Sequence, residues 1–423
     1  MKKYFLPLAT ACLTAGAASA EHPVSTDELF DKLDQALTFS IADGKVRMRL
    51  SGLIDLEAYS LPQPAPGLIF TERYSLFNPR LTLFFDAQIG AHLYAFAQAR
   101  ADQGFDPGYD CGRFALDEYA IRYTPWDDGR LSVQIGKFAT VFGDWAPKHS
   151  SWDTPFITAP LAYENLTGMW DTAAVDSLDT LRFWAGLTDA AATSRRDALG
   201  SRHLRLPLIW GPSYASGAAV FGHIGKFEYA AEVKNASLSS RPGDWDATQV
   251  QWRRPTVTAR LGWRANQSWN MGVSGSIGSY LNRFASGTTA PGHSLSDYRQ
   301  ILLGQDVSFA WHHWELAGEV MESRFEIPGV GNADSLAYYL SAKYKFTPQL
   351  FGAVRWNQHL FGKLPDGTCG SEKWGGDIWR TDVALGYRFN AHIQLKVQSG
   401  IERRAADIAG FGHTFAAQFT IRF

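Results

Sequence analysis

Residues 140–167 mix titratable groups with rings. Asp144, Lys148, His149, Asp153 and Glu164 are interspersed with Trp145, Pro147, Trp152, Pro155, Phe156, Pro160 and Tyr163. His149, Ser150, Ser151 and Asp153 are residue types of a hydrolase triad. Neighbours on one short segment rarely meet in triad geometry, and the chain has no nucleophile elbow, so catalysis is set aside. A second chemistry needs no bond-making. Acids and bases that face each other across a narrow water column set up a transverse field, which orders dipolar solutes and passes ions with a modest bias. A third uses the rings: Trp145, Trp152, Phe156 and Tyr163, with Trp170 beyond, read as a stacking track for the apolar face of a sugar.

Each of these readings needs a rigid frame around the segment. A connection longer than roughly 12–15 residues is usually functional or disordered, and this one is too aromatic for disorder. Folding inward, it narrows a lumen; lying outside, it is a lid over a mouth. The frame is read from the last eleven residues, where Phe415, Ala417, Phe419, Ile421 and Phe423 alternate with Thr414, Ala416, Gln418, Thr420 and Arg422. Period-two alternation places the two sets on opposite faces of a strand.

The same pattern recurs along the chain. Leu50, Ile54 and Leu56 oppose Arg47, Arg49, Asp55 and Glu57, and residues 378–389, 393–402, 336–346 and 349–360 form hairpins of like design. Charge is confined to one face. That is the signature of a transmembrane antiparallel β-barrel, an all-β fold with a greasy exterior and a wet interior. The segments count to 18 strands, with 16 as the alternative and residues 168–187 as the stretch that decides. Trp126, Trp263, Trp269, Trp311, Trp314 and Tyr344 cluster near the short turns, where an interfacial belt belongs. Arg47, Arg49, Arg80, Arg100, Arg122, Arg380, Arg388, Lys396 and Arg422 read as a basic sector of the inner wall, partly paired with acids.

Residues 1–20 have the Lys2-Lys3, apolar run and Ala18-Ser19-Ala20 of a signal peptide, so the chain is exported. Residues 21–44 hold a short periplasmic helix and linker; the helix begins in a capping box at Ser25 and runs to residue 37. It packs either inside the barrel or against its own copies. Residues 45–423 are the barrel. Nothing in the mature chain approaches the roughly 20 apolar residues of a spanning helix. Lys and Arg number 40 against 42 Asp and Glu, a net charge of −2, which gives no general attraction to nucleic acid. Cys111 and Cys369 fall in outer loops of an oxidising compartment, where a disulfide is permitted but requires both loops to fold over the mouth. No spacing suggests a metal or cofactor site.

Taken together, the leader, the amphipathic helix, the Gln134-Ile135-Gly136-Lys137-Phe138 strand entering a long loop through Gly143, and the terminal Phe423 resemble the trimeric Gram-negative porins. The phosphate-selective and related anion porins look most similar. The resemblance implies a homotrimer in the outer membrane among lipid and lipopolysaccharide, a 16-stranded wall, and passive diffusion of small hydrophilic solutes. Acids among the lumen arginines argue against phosphate selectivity and for only a weak anion preference. A sugar or oligosaccharide porin, a barrel enzyme and a non-conducting receptor are the competing functions.

Overall fold

The computed structural model describes residues 26–102, 112–188, 202–243, 252–367, 369–405 and 410–423. The leader and Cys111 lie outside the described residues, and so does the proposed disulfide; Cys369 is exposed. A helix, α1 (Thr26–Ala36), precedes β1 (Thr38–Ile41), β2 (Val46–Ser60), β3 (Ser75–Ile89), β4 (Leu93–Asp102), β5 (Arg113–Tyr123) and β6 (Ser132–Phe138). The long loop follows. After it come β7 (Ala215–Ile224), β8 (Phe227–Lys234), β9 (Thr256–Arg264), β10 (Trp269–Ser279), β11 (Arg299–Trp311), β12 (Trp314–Ile327), β13 (Gly331–Lys345) and β14 (Leu350–Phe361). A small ribbon of β15 (Lys363–Pro365) and β16 (Ser371–Lys373) decorates the next loop, and β17 (Ile378–Arg388), β18 (Ile393–Arg404) and β19 (Gly412–Arg422) complete the wall.

Neighbouring strands pair antiparallel from β2 to β14, then β14 with β17, and β19 returns to β2. The barrel therefore has sixteen strands, the alternative count, and not eighteen. The excess came from residues 168–187. Among the described residues their only strand-like pairing is an isolated bridge from Trp170 to Arg205, followed by a helix, α3 (Leu178–Ala185). Ser177 caps that helix by accepting the Thr180 N–H, and Gly186 ends it at φ 78°, which is the chemistry of a helix and not of a hairpin. β1 is an addition to the ring: it pairs with Val46 to Arg49 of β2, whereas β19 pairs with the remainder of β2 from Leu53 on.

Closure at the seam depends on one glycine. Gly52 and Phe423 exchange backbone hydrogen bonds of 2.9 and 3.0 Å, and a Cβ on Gly52 would stand 2.6 Å from the Phe423 ring. The same Cβ would stand 2.9 Å from the Thr82 carbonyl, and backbone, unlike a ring, has no room to give. Short turns at one end are tied by asparagine: Asn266 Oδ1 accepts the N–H of Ser268 and Trp269, and Asn390 Oδ1 accepts those of His392 and Ile393. This Asx bonding holds a tight reversal without help from the sheet.

The alternation settles which side chains meet what. Leu56, Phe85, Ile121, Ile135, Leu261, Val320, Leu340, Val383 and Phe415 are exposed on the outer surface, while Asp55, Glu57, Gln134, Asp382, Gln398 and Gln418 are buried within. An unbroken apolar exterior of this kind is stable only in lipid. Trp126, Trp263, Trp269, Trp311 and Trp314 are exposed at the short-turn end, where amphipathic rings anchor a barrel at the interface.

The interior is not a uniform water column. The loop after β6, residues 139–214, carries its own apolar residues inward, among them Leu166, Met169, Leu178, Leu181, Leu208 and Trp210. They pack with Leu302, Met321, Phe325, Ala337 and Phe361 of the wall in one continuous core. These five inward positions on β11 to β14 are apolar where they meet the loop's own core.

Candidate functional site

The loop starts at the end of β6 and is fastened at once. Thr140 Oγ1 donates to Glu232 on β8 at 2.7 Å, and the Gly143 N–H donates to Ser274 on β10 at 3.1 Å. Gly143 has φ 71°, and a Cβ there would lie 2.7 Å from the Tyr163 hydroxyl and 3.1 Å from the Glu319 carboxylate. Both the left-handed backbone and the close approach demand glycine. Glu319, on β12, then accepts the N–H groups of Asp144 and Trp145 at 2.6 and 2.7 Å through one oxygen and the Tyr163 hydroxyl at 2.6 Å through the other.

Beyond this knot the chain crosses to the other side of the bore. His149 bonds the Ala146 carbonyl through Nδ1 at 2.6 Å and Tyr214 through Nε2 at 2.7 Å, and Tyr214 in turn accepts from Gln98 of β4. Ser151 donates to Asp55 on β2. Lys396 on β18 donates to the carbonyls of Ser151 and Thr154 at 2.7 and 3.1 Å. Gln398 accepts the N–H groups of Ile157 and Thr158, and Arg355 on β14 donates to the carbonyls of Thr158 and Ala159. A short helix, α2 (Leu161–Glu164), brings Tyr163 back to Glu319. The loop thus touches wall strands around most of the circumference.

Charge on the wall is mostly neutralised in pairs. Arg80 holds Glu57 at 2.5 Å and Asp55 at 3.2 Å; Arg100 holds Asp117 at 2.8 Å and also Asp102; Arg355 and Arg380 share Asp382. Asp55 faces Arg80, and Arg355 faces Asp382, directly across their strand pairs. Arg388, Lys396, Arg422 and Arg122 differ. Arg388 donates to Gln394 and the Trp152 carbonyl, Arg422 to the Ala391 carbonyl, and Arg122 to Gln134. None of the four has a carboxylate in hydrogen-bond contact among the described residues, so a positive surplus remains. Arg47 and Arg49 sit exposed at the start of β2, with Arg49 bonded to Asp34 of α1.

The five titratable loop residues do not act alike. Asp144 and Lys148 pair at 2.5 Å and line two cavities, of about 900 and 600 Å³; Asp153 lines the second of these and a third of about 370 Å³ toward α1. His149 lines the larger cavity as well, half-buried beside Tyr214, and burial pulls its imidazole below the usual range. Glu164 is no pore-lining acid. It is buried against Arg380, and desolvation pushes its carboxyl up. The rings are divided between cavities: Trp145 and Phe156 line the one of about 600 Å³ and Trp152 the one of about 370 Å³. Tyr163 is fully buried under Trp145, Phe156 is buried beneath the Arg355 guanidinium, and Trp152 is held between Arg388 and Arg422. Trp170 stacks on Trp184.

The triad types also separate, with both His149 nitrogens engaged elsewhere and Ser151 bonded to Asp55. Glu319, Glu232, Gln398, Arg355 and Asn357, the wall groups that fasten the loop, did not stand out in the sequence. Each is an inward position on a strand, and such positions look alike until the loop's path is known.

At the short-turn rim, Phe30 of α1 stacks on His392 with ring centroids 4.8 Å apart. Leu29 and Leu33 remain exposed.

No protein-family model and no curated protein matches the chain. Solved structures do share its fold. OmpF of Salmonella typhi, in complex with daunomycin, superposes with a TM-score of 0.54 over 91% of this chain and 100% of its own at 12% identity. The anion-selective porin from Comamonas acidovorans gives 0.53 over 89% of this chain and 100% of its own at 11% identity. OmpT of Vibrio cholerae in its trimer form gives 0.52 over 89% and 99% at 8% identity. The fold is that of the outer-membrane porins.

Proposed function

We propose that the protein is a passive diffusion channel of the Gram-negative outer membrane, admitting small hydrophilic solutes with a weak preference for anions. One observation carries this reading: the loop after β6 is hydrogen-bonded to inward side chains of β8, β10, β12, β14, β17, β18 and β2. So many wall contacts hold a segment within the bore, where it narrows the water path past Asp144, Lys148 and Asp153. The surplus of Arg122, Arg388, Lys396 and Arg422 over carboxylate partners supports the anion bias, and neighbouring acids keep it small.

Association as a homotrimer, set in lipid and lipopolysaccharide, belongs to the same proposal. β4 presents Ala95, Ala97, Ala99 and Ala101 on the face opposite Tyr94, Phe96, Gln98 and Arg100. Small side chains let a second barrel approach closely. Chemical cross-linking in native membranes is expected to give a trimer; a monomer alone would contradict this part. For the channel itself, proteoliposomes are expected to swell in small sugars and amino acids at rates that fall with solute size. Vesicles impermeable to all of them would overturn it.

A further inference from the structure

The cavity of about 900 Å³ beneath the loop is lined by four cations, Arg122, Arg260, Arg264 and Lys148. Three are already neutralised: Arg260 by Asp306 at 2.6 Å, Arg264 by Glu228 at 2.5 Å, and Lys148 by Asp144 at 2.5 Å. Arg122 is built otherwise. Its Nε and Nη2 both donate to a single neutral acceptor, Gln134 Oε1, at 3.0 and 2.9 Å. Among the described residues its Nη1 has no acceptor. Three rings surround the guanidinium, with centroids 4.9 Å (Phe221), 5.5 Å (Tyr94) and 5.7 Å (Phe96) from its central carbon. All three rings also line the cavity. Of the carboxylates that line the same space, Glu118 spends an oxygen on the Ala139 N–H at 2.7 Å and Asp144 and Glu228 are held by Lys148 and Arg264; among the described residues none hydrogen-bonds Arg122.

With its Nε–Nη2 side on Gln134, the guanidinium still offers its Nη1–Nη2 end between the rings, and that end matches the two oxygens of a carboxylate. The rings beside it offer flat apolar surface to whatever the carboxylate is attached to, in offset or edge contact. A compact inorganic anion would use the charge and leave the rings idle, whereas a neutral sugar would use the rings and bring no charge to the guanidinium. We infer that Arg122 with Tyr94, Phe96 and Phe221 forms a binding subsite for small planar carboxylates, of which benzoate is the simplest. The inference names a substrate class for the proposed channel and rests on that reading for its physiological sense. Binding at the subsite does not itself require conduction.

The test therefore measures binding and conduction separately. Benzoate, cyclohexanecarboxylate, acetate and benzyl alcohol are titrated into the folded full chain in detergent, with ligand-observed NMR as the readout. Benzoate is expected to bind most tightly. Arg122→Gln is expected to weaken it by about tenfold or more, from loss of a charge-assisted bond. Phe96→Leu is expected to weaken benzoate by about two- to tenfold while leaving acetate unchanged. Arg122→Lys, which keeps the charge and loses the fork, is expected to resemble Arg122→Gln for benzoate. Heat-modifiable mobility on gels confirms that each variant is folded. Equal binding of benzoate and acetate, or wild-type benzoate affinity in folded Arg122→Gln, would overturn the subsite. A chain that conducts chloride but fails these comparisons keeps the channel and loses the subsite; one that binds benzoate and never conducts does the reverse.

Discussion

Glu319 of β12 accepts the Tyr163 hydroxyl at 2.6 Å while its other oxygen holds the N–H groups of Asp144 and Trp145. Two parts of the loop that are almost twenty residues apart are thereby fixed to one carboxylate of the wall. Tyr163→Phe removes one bond to that carboxylate and is expected to destabilise the loop by about 1–3 kcal/mol. Gly143→Ala, which forces a Cβ toward both partners, is expected to do at least as much. Both should raise open-channel current noise and protease sensitivity between residues 140 and 167. Quiet, resistant variants would show that the knot does not hold the loop.

Arg380 joins the wall to the loop more deeply. It is buried, bonded to Asp382 at 3.1 Å and to the Ala159 carbonyl at 2.5 Å, and paired with Glu164. A buried pair is a poor source of net stability, but leaving its partners behind is costly. Arg380→Ala is expected to lose roughly 3–5 kcal/mol, read from the urea midpoint of the folded form in lipid. Adding Glu164→Gln should recover part of that loss, because Glu164 is the buried carboxylate that Arg380→Ala leaves without its cation, whereas Asp382 keeps Arg355.

His149 makes the loop sensitive to acid. Burial holds its pKa below the ordinary 6.5, so the folded form binds fewer protons than the unfolded one in the interval between the two values. Stability linked to His149 is complete above about pH 6.5 and falls as pH drops toward the lower folded value. Protonation also places a hydrogen on Nε2, which now faces the Tyr214 hydroxyl at 2.7 Å. Below pH 6.5 the wild type should show more subconductance events. His149→Gln should flatten that dependence, and an unchanged profile would remove His149 from the account.

Lys148 is the exposed member of its pair with Asp144. Reversing its charge, Lys148→Glu, changes the potential at the loop's edge by about 1 kcal/mol per unit charge at ~4 Å in water. The chloride-to-potassium permeability ratio is expected to fall by roughly fivefold or more, measured as a reversal potential across a salt gradient.

The wall was legible in the sequence because lipid and water enforce a two-residue alternation. Residues 378–388 and 413–423 carry it almost without exception. The strand count was misjudged where that rule stops, at residues 168–187, whose apolar residues serve a loop core and the helix α3 instead of a lipid face. The basic wall was legible as a set of residues. Its pairing was not, since whether Arg80 meets Asp55 depends on the register of β2 against β3. Glu319 was hidden for a similar reason: only the loop's path turns an inward carboxylate into an anchor. The burial of Glu164 and Tyr163 was not legible, because a loop residue's exposure depends on which neighbours it finds.

The most direct measurement of the central claim is the current through single molecules of the purified, folded chain in a planar bilayer under a potassium chloride gradient. Stepwise conductance is expected, with a reversal potential displaced slightly toward that of chloride. A membrane that stays silent, or a channel strongly selective for potassium, would contradict the account.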